Sequence, residues 1–209
     1  RNPWNDNVRV LEFCAVPNTH YMHQAGLSFV GHVGEGLKTL RKDFTPHTVW
    51  KNCEPEKVRN QLKSIFSGKE EWGPSAVVEV VREALPRNGV ATADSGAHRI
   101  LLSQMWECYE SRGLLQSSAL CTMGCAIPLA MGFCLTATER PVVAFVGDAG
   151  LEMVLGELAT LRDLKLPLVI VVFVDESLAL IEMKQRKSDL PNLGVDFGAT
   201  NFPAVAEAL

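Results

Sequence analysis

Two apolar runs constrain the fold of this chain more than anything else in it. Val142-Val143-Ala144-Phe145-Val146 and Leu168-Val169-Ile170-Val171-Val172-Phe173-Val174 carry no polar interruption, and leucines at 151, 155, 158, 161 and 164 recur at helical spacing between them. A sheet with one wet face needs strands that alternate apolar and polar residues, whereas unbroken apolar runs suit parallel strands covered on both faces. Parallel neighbours in turn need a crossover of a dozen or more residues, usually a helix. The pattern therefore predicts strand 141–146, helix 151–164 and strand 168–174 in one parallel sheet.

The same alternation starts upstream. A helix is expected over 75–85, capped at Ser75 and stopped by Pro86, then a short strand over 90–93 ending at Asp94, then a helix of small residues over 122–137. Residues 75–209 thus read as an α/β domain with a doubly wound parallel sheet. Residues 1–42, with strand, loop, strand and helix, are too few for a domain of their own. Residues 43–74 combine Pro46, Pro55 and Pro74 with charge and one amphipathic helix around Val58, Leu62 and Ile65, the mark of a linker. The chain opens just before a strand and stops within a helical pattern, so it reads as part of a longer protein.

Charge and cysteine usage narrow the function classes. A net charge of -4 without any Lys/Arg cluster is a poor footprint for nucleic acid. No stretch reaches the roughly 18 apolar residues of a membrane span. The six cysteines, at 14, 53, 108, 121, 125 and 134, form no CxxC pair and have no matching histidine pair. They are expected to be reduced, semi-buried thiols of a cytoplasmic protein.

Chemistry concentrates where the two runs end. The first stops at Gly147-Asp148-Ala149-Gly150, and the second delivers Asp175 at the matching end of the next strand, 27 residues later. Ligands of open α/β sheets bind at the carboxyl ends of strands, where small residues let backbone N–H groups approach a phosphate. An aspartate there would repel a phosphate, and a hard cation resolves the conflict, because magnesium takes oxygen ligands and bridges carboxylate to diphosphate. Asp148 and Asp175 are the candidate ligands. An Asp at a strand end also caps turns, and that reading stays open for each acid. A dinucleotide site is disfavoured, since no Gly-x-Gly-x-x-Gly turn with a following acid is present.

This stretch resembles the thiamine-diphosphate fingerprint of the acetolactate synthase, benzoylformate decarboxylase and pyruvate decarboxylase superfamily: Gly-Asp-Gly, about 25 residues, then Asn-Asn. Gly147-Asp148-Ala149 matches the opening, Glu157-Leu158-Ala159-Thr160 with Leu166-Pro167 the middle, and Asp175-Glu176 stands at the closing pair. Ala149 replaces the second glycine and Asp175 the usual Asn ligand. Upstream, Asp94-Ser95-Gly96-Ala97-His98 is similar to the family's Asp-Val-Gly-Gln-His, and the run 117–128 to its Gly-Leu-Gly-Thr-Met-Gly-Tyr-Gly-Leu-Pro. Residues 8–42, notably 29–37, resemble the end of the family's central domain.

The resemblance implies thiamine diphosphate and Mg2+ as cofactors. The metal would be held by Asp148, Asp175 and the Ser177 carbonyl. Ser95, Gly96, Ala97 and His98, with Gly147, Ala149 and Gly150, would face the diphosphate. Met123 would prop the two rings apart, the Cys121 carbonyl would meet the amino group of the pyrimidine, and Leu178, Leu180 and Ile181 would line the pocket. It also implies a decarboxylase or carboligase acting on 2-oxo acids, built as a homodimer or homotetramer. Catalysis would need a glutamate on a pyrimidine-binding domain of the same or a neighbouring subunit. Glu152, Glu157 and Glu176 do not match that residue, so this segment alone is expected to be inactive. The rival reading is a non-catalytic cofactor-binding or regulatory module on the same fold.

Overall fold

A computed structural model of the chain describes residues 8–19, 25–66, 72–137 and 139–209. Residues 1–7, and 67–71 of the expected linker, lie outside the described part. The chain divides into two compact units, 1–54 and 55–209, with the boundary inside the 43–74 stretch.

The first unit contains two short strands, β1 (Leu11–Cys14) and β2 (Leu27–Val30), paired in parallel with Leu11 opposite Leu27, and helix α1 (Val33–Lys42). Phe13 and Phe29 stack across the pair at 5.0 Å between ring centroids. Helix α1 is capped by His32, whose Nδ1 accepts the Glu35 N–H at 3.3 Å.

Helix α2 (Glu54–Phe66) starts at the boundary. The second unit then runs α3 (Pro74–Ala84), β3 (Val90–Ala93), α4 (Ala97–Met105), β4 (Leu114–Gln116), α5 (Ala126–Thr136), β5 (Val142–Gly147), α6 (Asp148–Met153), α7 (Glu157–Leu164), β6 (Leu168–Phe173), α8 (Ala179–Lys187) and α9 (Phe202–Ala208). Among the described residues its four strands are all parallel, in the order β4-β3-β5-β6, with Val90 opposite Val142 and Val142 opposite Leu168.

Strand β5 shows why an unbroken apolar run was required. Val142, Ala144 and Val146 pack on one face against Ile127, Met131 and Cys134 of α5, Leu158 of α7 and Phe202 of α9. Val143 and Phe145 point the other way, into a second core with Val78 of α3, Leu102 of α4 and Trp106. Trp106 meets Phe145 edge-on at 5.4 Å. Both faces are dry, so each position from Val142 to Val146 is buried and none tolerates a polar residue without a partner. The α/β reading with helices on both faces of a parallel sheet is what the structure shows.

Three details differ from expectation. The leucine-rich helix is broken: α6 ends at Met153, and Gly156 stands before α7. Between them the Leu155 and Glu157 N–H groups bond carbonyls three residues back, at Glu152 and Val154. Glycine weakens a helix interior by about 1 kcal/mol, and the break still leaves Leu151 and Leu158 in the same core. Helix α3 starts at Pro74 with Gly73 at its N-cap and no side-chain cap, so Ser75 is not a capping residue. The cysteines are all free, but Cys53, Cys108 and Cys121 are exposed rather than semi-buried, because each lies in a loop outside the two cores. Among the described residues no helix is long and apolar enough to cross a membrane.

Candidate functional site

Adjacent strands β3, β5 and β6 run in the same direction, and each is followed by an aspartate: Asp94, Asp148 and Asp175. Parallel register brings these carboxyl ends to one edge of the sheet, and a cleft of about 340 Å³ opens there. That size lies at the lower end of small-molecule sites. Its walls include Ser95, Gly96, Ala97, His98, Met123, Gly147, Asp148, Ala149, Gly150, Asp175, Ser177, Leu178, Leu180 and Ile181, residues that the sequence patterns single out. Cys121 is the exception. It is exposed, its backbone is in the left-handed region at φ 50°, and Arg99 Nη1 donates to its Sγ at 3.1 Å.

Asp148 is the most constrained of the candidate ligands. Only 4% of it is exposed. Its Oδ1 accepts the Ala149 N–H at 2.8 Å, and its Oδ2 accepts the N–H groups of Asp175 and Glu176 at 3.1 and 2.8 Å. The carboxylate therefore ties the end of β5 to the end of β6. A carboxylate has about four acceptor sites, so three bonds leave capacity for one more partner. Hydrogen bonds to charged groups contribute about 1.5–3 kcal/mol each, which is what allows an acid to sit this deep. The turn-capping reading is thus realised for Asp148, and it coexists with acceptor capacity on a residue that lines the cleft.

Asp175 is exposed at the rim. Desolvation of its carboxyl, followed by repulsion from Asp148, pushes its pKa above the ordinary carboxylate value, while the Ser177 N–H and His98 pull the other way. Two like charges converging on one spot are what a cation would relieve. Among the described residues no group of three or more His, Cys, Asp or Glu is arranged to hold an ion. A cation here would take its remaining ligands from main-chain carbonyls, a ligand or water, as magnesium commonly does.

The segment after β6 is pinned from behind. Glu176 adopts φ 54°, and the Leu178 N–H donates to the Val195 carbonyl at 2.8 Å and the Phe197 N–H to the Glu176 carbonyl at 3.2 Å. Ser177 Oγ donates to Glu182 Oε2 at 2.8 Å, and Glu182 also receives Asn192 and Arg186. These partners, Ser177 first, hold the Glu182 carboxyl below its usual range.

Asp94 was not legible as a site residue, yet it is the most buried acid of the three, at 1% exposure. Its Oδ2 accepts the Gly124 N–H at 2.7 Å, and its Oδ1 meets His98 Nε2 at 2.6 Å and the Gly147 N–H at 3.4 Å. The His98 ring stacks on Phe173 at 5.5 Å. The sequence signals for Asp94 were that it repeats the strand-then-Asp pattern of the other two and that it opens the Asp94-Ser95-Gly96-Ala97-His98 run, in which the following residues rather than the acid were expected to face the ligand. Pro74, Leu101 and Phe173 also line the cleft and carry no local motif.

Comparison with known proteins gives the family of this domain. Residues 94–209 match the family model of the thiamine pyrophosphate enzyme C-terminal TPP-binding domain. The chain is 32% identical over 202 residues to an acetolactate synthase of Bacillus subtilis, covering 92% of this chain and 35% of that protein. It is 33% identical over 113 residues to a putative thiamine pyrophosphate-containing protein of the same organism, covering 54% of this chain and 20% of that protein. An acetolactate synthase large subunit of Lactococcus lactis is 28% identical over 176 residues, 82% of this chain and 30% of that protein. The chain therefore spans between a fifth and about a third of the length of these curated relatives.

Proposed function

Because the chain belongs to the thiamine pyrophosphate enzymes, whose C-terminal TPP-binding domain it carries, we propose that it holds magnesium-thiamine diphosphate for an acetolactate synthase-like enzyme acting on 2-oxo acids. One observation carries the metal part of this reading. Asp148 is buried at the end of β5 with acceptor capacity left, and Asp175 lies within its field across the same cleft. At an effective dielectric of ~20, unit charges 4 Å apart interact by about 4 kcal/mol, so two carboxylates and a diphosphate need a cation among them.

The residues present fit the group. Asp148, Asp175 and the Ser177 carbonyl are the ligands this reading assigns to magnesium. Glycine is required where the walls are tightest: a Cβ at Gly96 would lie 2.6 Å from the His98 ring, and one at Gly150 would meet Asp94 Oδ2 at 2.0 Å. Backbone N–H groups around 95–98 can then approach diphosphate oxygens, as at other phosphate-binding helix starts. Met123, Leu178, Leu180 and Ile181 give the same cleft an apolar side suited to ring stacking and to excluding water. Thiamine diphosphate, when bound, supplies a thiazolium carbon that adds to the carbonyl of a 2-oxo acid so that carbon dioxide can leave. This chain's residues orient and charge-balance it. Six free thiols support a reducing, cytoplasmic location.

The activating glutamate is assigned to a pyrimidine-binding domain, in this family usually one that faces the cofactor across a subunit interface, and on that arrangement the working enzyme is at least a dimer. The test is carbon dioxide release from a panel of 2-oxo acids, by the 209-residue chain alone and by a protein that joins it to such a domain. We expect release only from the joined protein. Turnover by the chain alone would refute the division of labour. Cofactor bound by the joined protein without turnover of any 2-oxo acid would favour the non-catalytic module.

A further inference from the structure

The segment that follows β6 is held in place by something other than burial. Asp175 and Glu176 are exposed, Ser177 and Leu178 are half-buried, and none of the nine residues of α8 is fully buried. Glu176 stands at φ 54°, a conformation that persists in a residue with a Cβ only where its surroundings fix it. Polar ties have to supply that fixing. The Leu178 N–H donates to the carbonyl of the buried Val195 at 2.8 Å, and a trans peptide points its C=O and its N–H to opposite sides. The Ser177 carbonyl belongs to that same peptide, so it faces away from Val195. Ser177 and Leu178 line the cleft. Ser177 also bridges to Asp196, and its Oγ donates to Glu182 Oε2 at 2.8 Å. Glu182 Oε1 receives Asn192 Nδ2 at 2.9 Å and the Arg186 guanidinium. One carboxylate, outside the cleft wall, thus joins the residue after β6, the last turn of α8 and the segment around 192–196.

We propose that Glu182 is a positioning residue for the cation: it clamps Ser177 against the 192–196 segment and so keeps the Ser177 carbonyl aimed at the site that Asp148 and Asp175 share. The proposal rests on the cofactor reading above, which assigns that carbonyl to magnesium, but it concerns a residue that touches neither ligand nor metal. Magnesium demands near-ideal octahedral geometry, so a carbonyl free to swing weakens the site even when both acids are intact. The clamp needs the hydrogen bonds of Glu182 rather than its charge. Glu182→Gln keeps them, because the amide oxygen can accept from Asn192 and Arg186 while its NH2 donates to Ser177 Oγ. Glu182→Ala keeps none.

Two measurements on the whole 209-residue chain test it. In the ligand-free chain, hydrogen exchange at the Leu178 and Phe197 amides should speed up at least about tenfold in Glu182→Ala and stay within about threefold of the parent in Glu182→Gln, with the amides of β5 and β6 unchanged. Parental exchange in Glu182→Ala would overturn the proposal. An equal acceleration throughout β5 and β6 would make Glu182 merely structural and overturn it as well. The second measurement is calorimetric affinity for thiamine diphosphate in excess magnesium. Glu182→Ala should bind at least about tenfold more weakly than the parent, and Glu182→Gln within about threefold of it. Parental affinity in Glu182→Ala sinks the idea, and equal losses in the two variants assign the effect to charge and sink it too. If Glu182→Ala does not fold, Ser177→Ala takes its place, since it deletes the hydroxyl and leaves the carbonyl. A parent chain that binds no cofactor would instead bring down the functional reading, and exchange at Leu178 would still judge the clamp.

Discussion

Gly150→Ala probes the tightest point of the site. Gly150 lies in α6, and a Cβ there would fall 2.0 Å from Asp94 Oδ2, 3.2 Å from its Cγ and 3.3 Å from the Gly124 nitrogen. The obstructing atom is not the loose end of a flexible side chain, since Asp94 is 1% exposed and held by His98 and Gly124. Relief requires a shift that breaks the Gly124 bond to a buried charge, a loss of about 1.5–3 kcal/mol. Crowding adds about 1–3 kcal/mol. Alanine gains back about 1 kcal/mol through helix propensity. The net loss should be about 2–4 kcal/mol, the middle of the range these terms span, read as a lowered urea midpoint by circular dichroism. Gly132→Ala is the internal control. Gly132 is exposed inside α5 with nothing within 4 Å of where a Cβ would lie, so the same change there should stabilise by about 0.5–1 kcal/mol. A loss below about 1 kcal/mol for Gly150→Ala would refute the reasoning that Asp94 is locked in place.

Asp175→Asn keeps an oxygen donor and should change affinity for magnesium-thiamine diphosphate by less than about tenfold, because weaker attraction to the cation and weaker repulsion of the diphosphate oppose each other. Asp175→Leu should abolish binding by calorimetry, and equal binding by both variants would make Asp175 a mere strand-end cap. Without metal, Asp175→Asn should stabilise the chain at neutral pH. The sign follows from the raised folded-state pKa: the charged form is disfavoured by folding, so the penalty is absent below the ordinary carboxylate range and fully present above the raised value. Urea midpoints in EDTA that show no gain at neutral pH, or an equal gain in acid, would contradict it.

The parts of this protein legible in its sequence are those written in short-range pattern. Val142–Gly147 and Leu168–Phe173 were marked by unbroken apolar runs, and Val90–Ala93 by its small run and closing acid. Strand β4 was not, because Leu114–Gln116 is three residues long and shows no periodicity. Helix α4 was missed as a helix because its start, with Gly96 at the N-cap and no side-chain cap, looks like a loop. Asp148 and Asp175 were recognisable because each ends a conspicuous strand. The bonds of Asp94 to Gly124 and Gly147 join residues 30 and 53 apart, so no local pattern announces them. His98 was expected to offer a hydrogen bond to a ligand, and only the fold shows that Asp94 occupies one of its two nitrogens.

Whether a cation bridges Asp148 to the cofactor is the point on which the proposed function most directly stands. Calorimetric titration of the chain with thiamine diphosphate, in excess magnesium and in excess EDTA, measures this without any mutation. Strong binding in magnesium that falls at least about tenfold in EDTA is the predicted result. Equal affinity under the two conditions would contradict the two-acid cation site at the ends of β5 and β6.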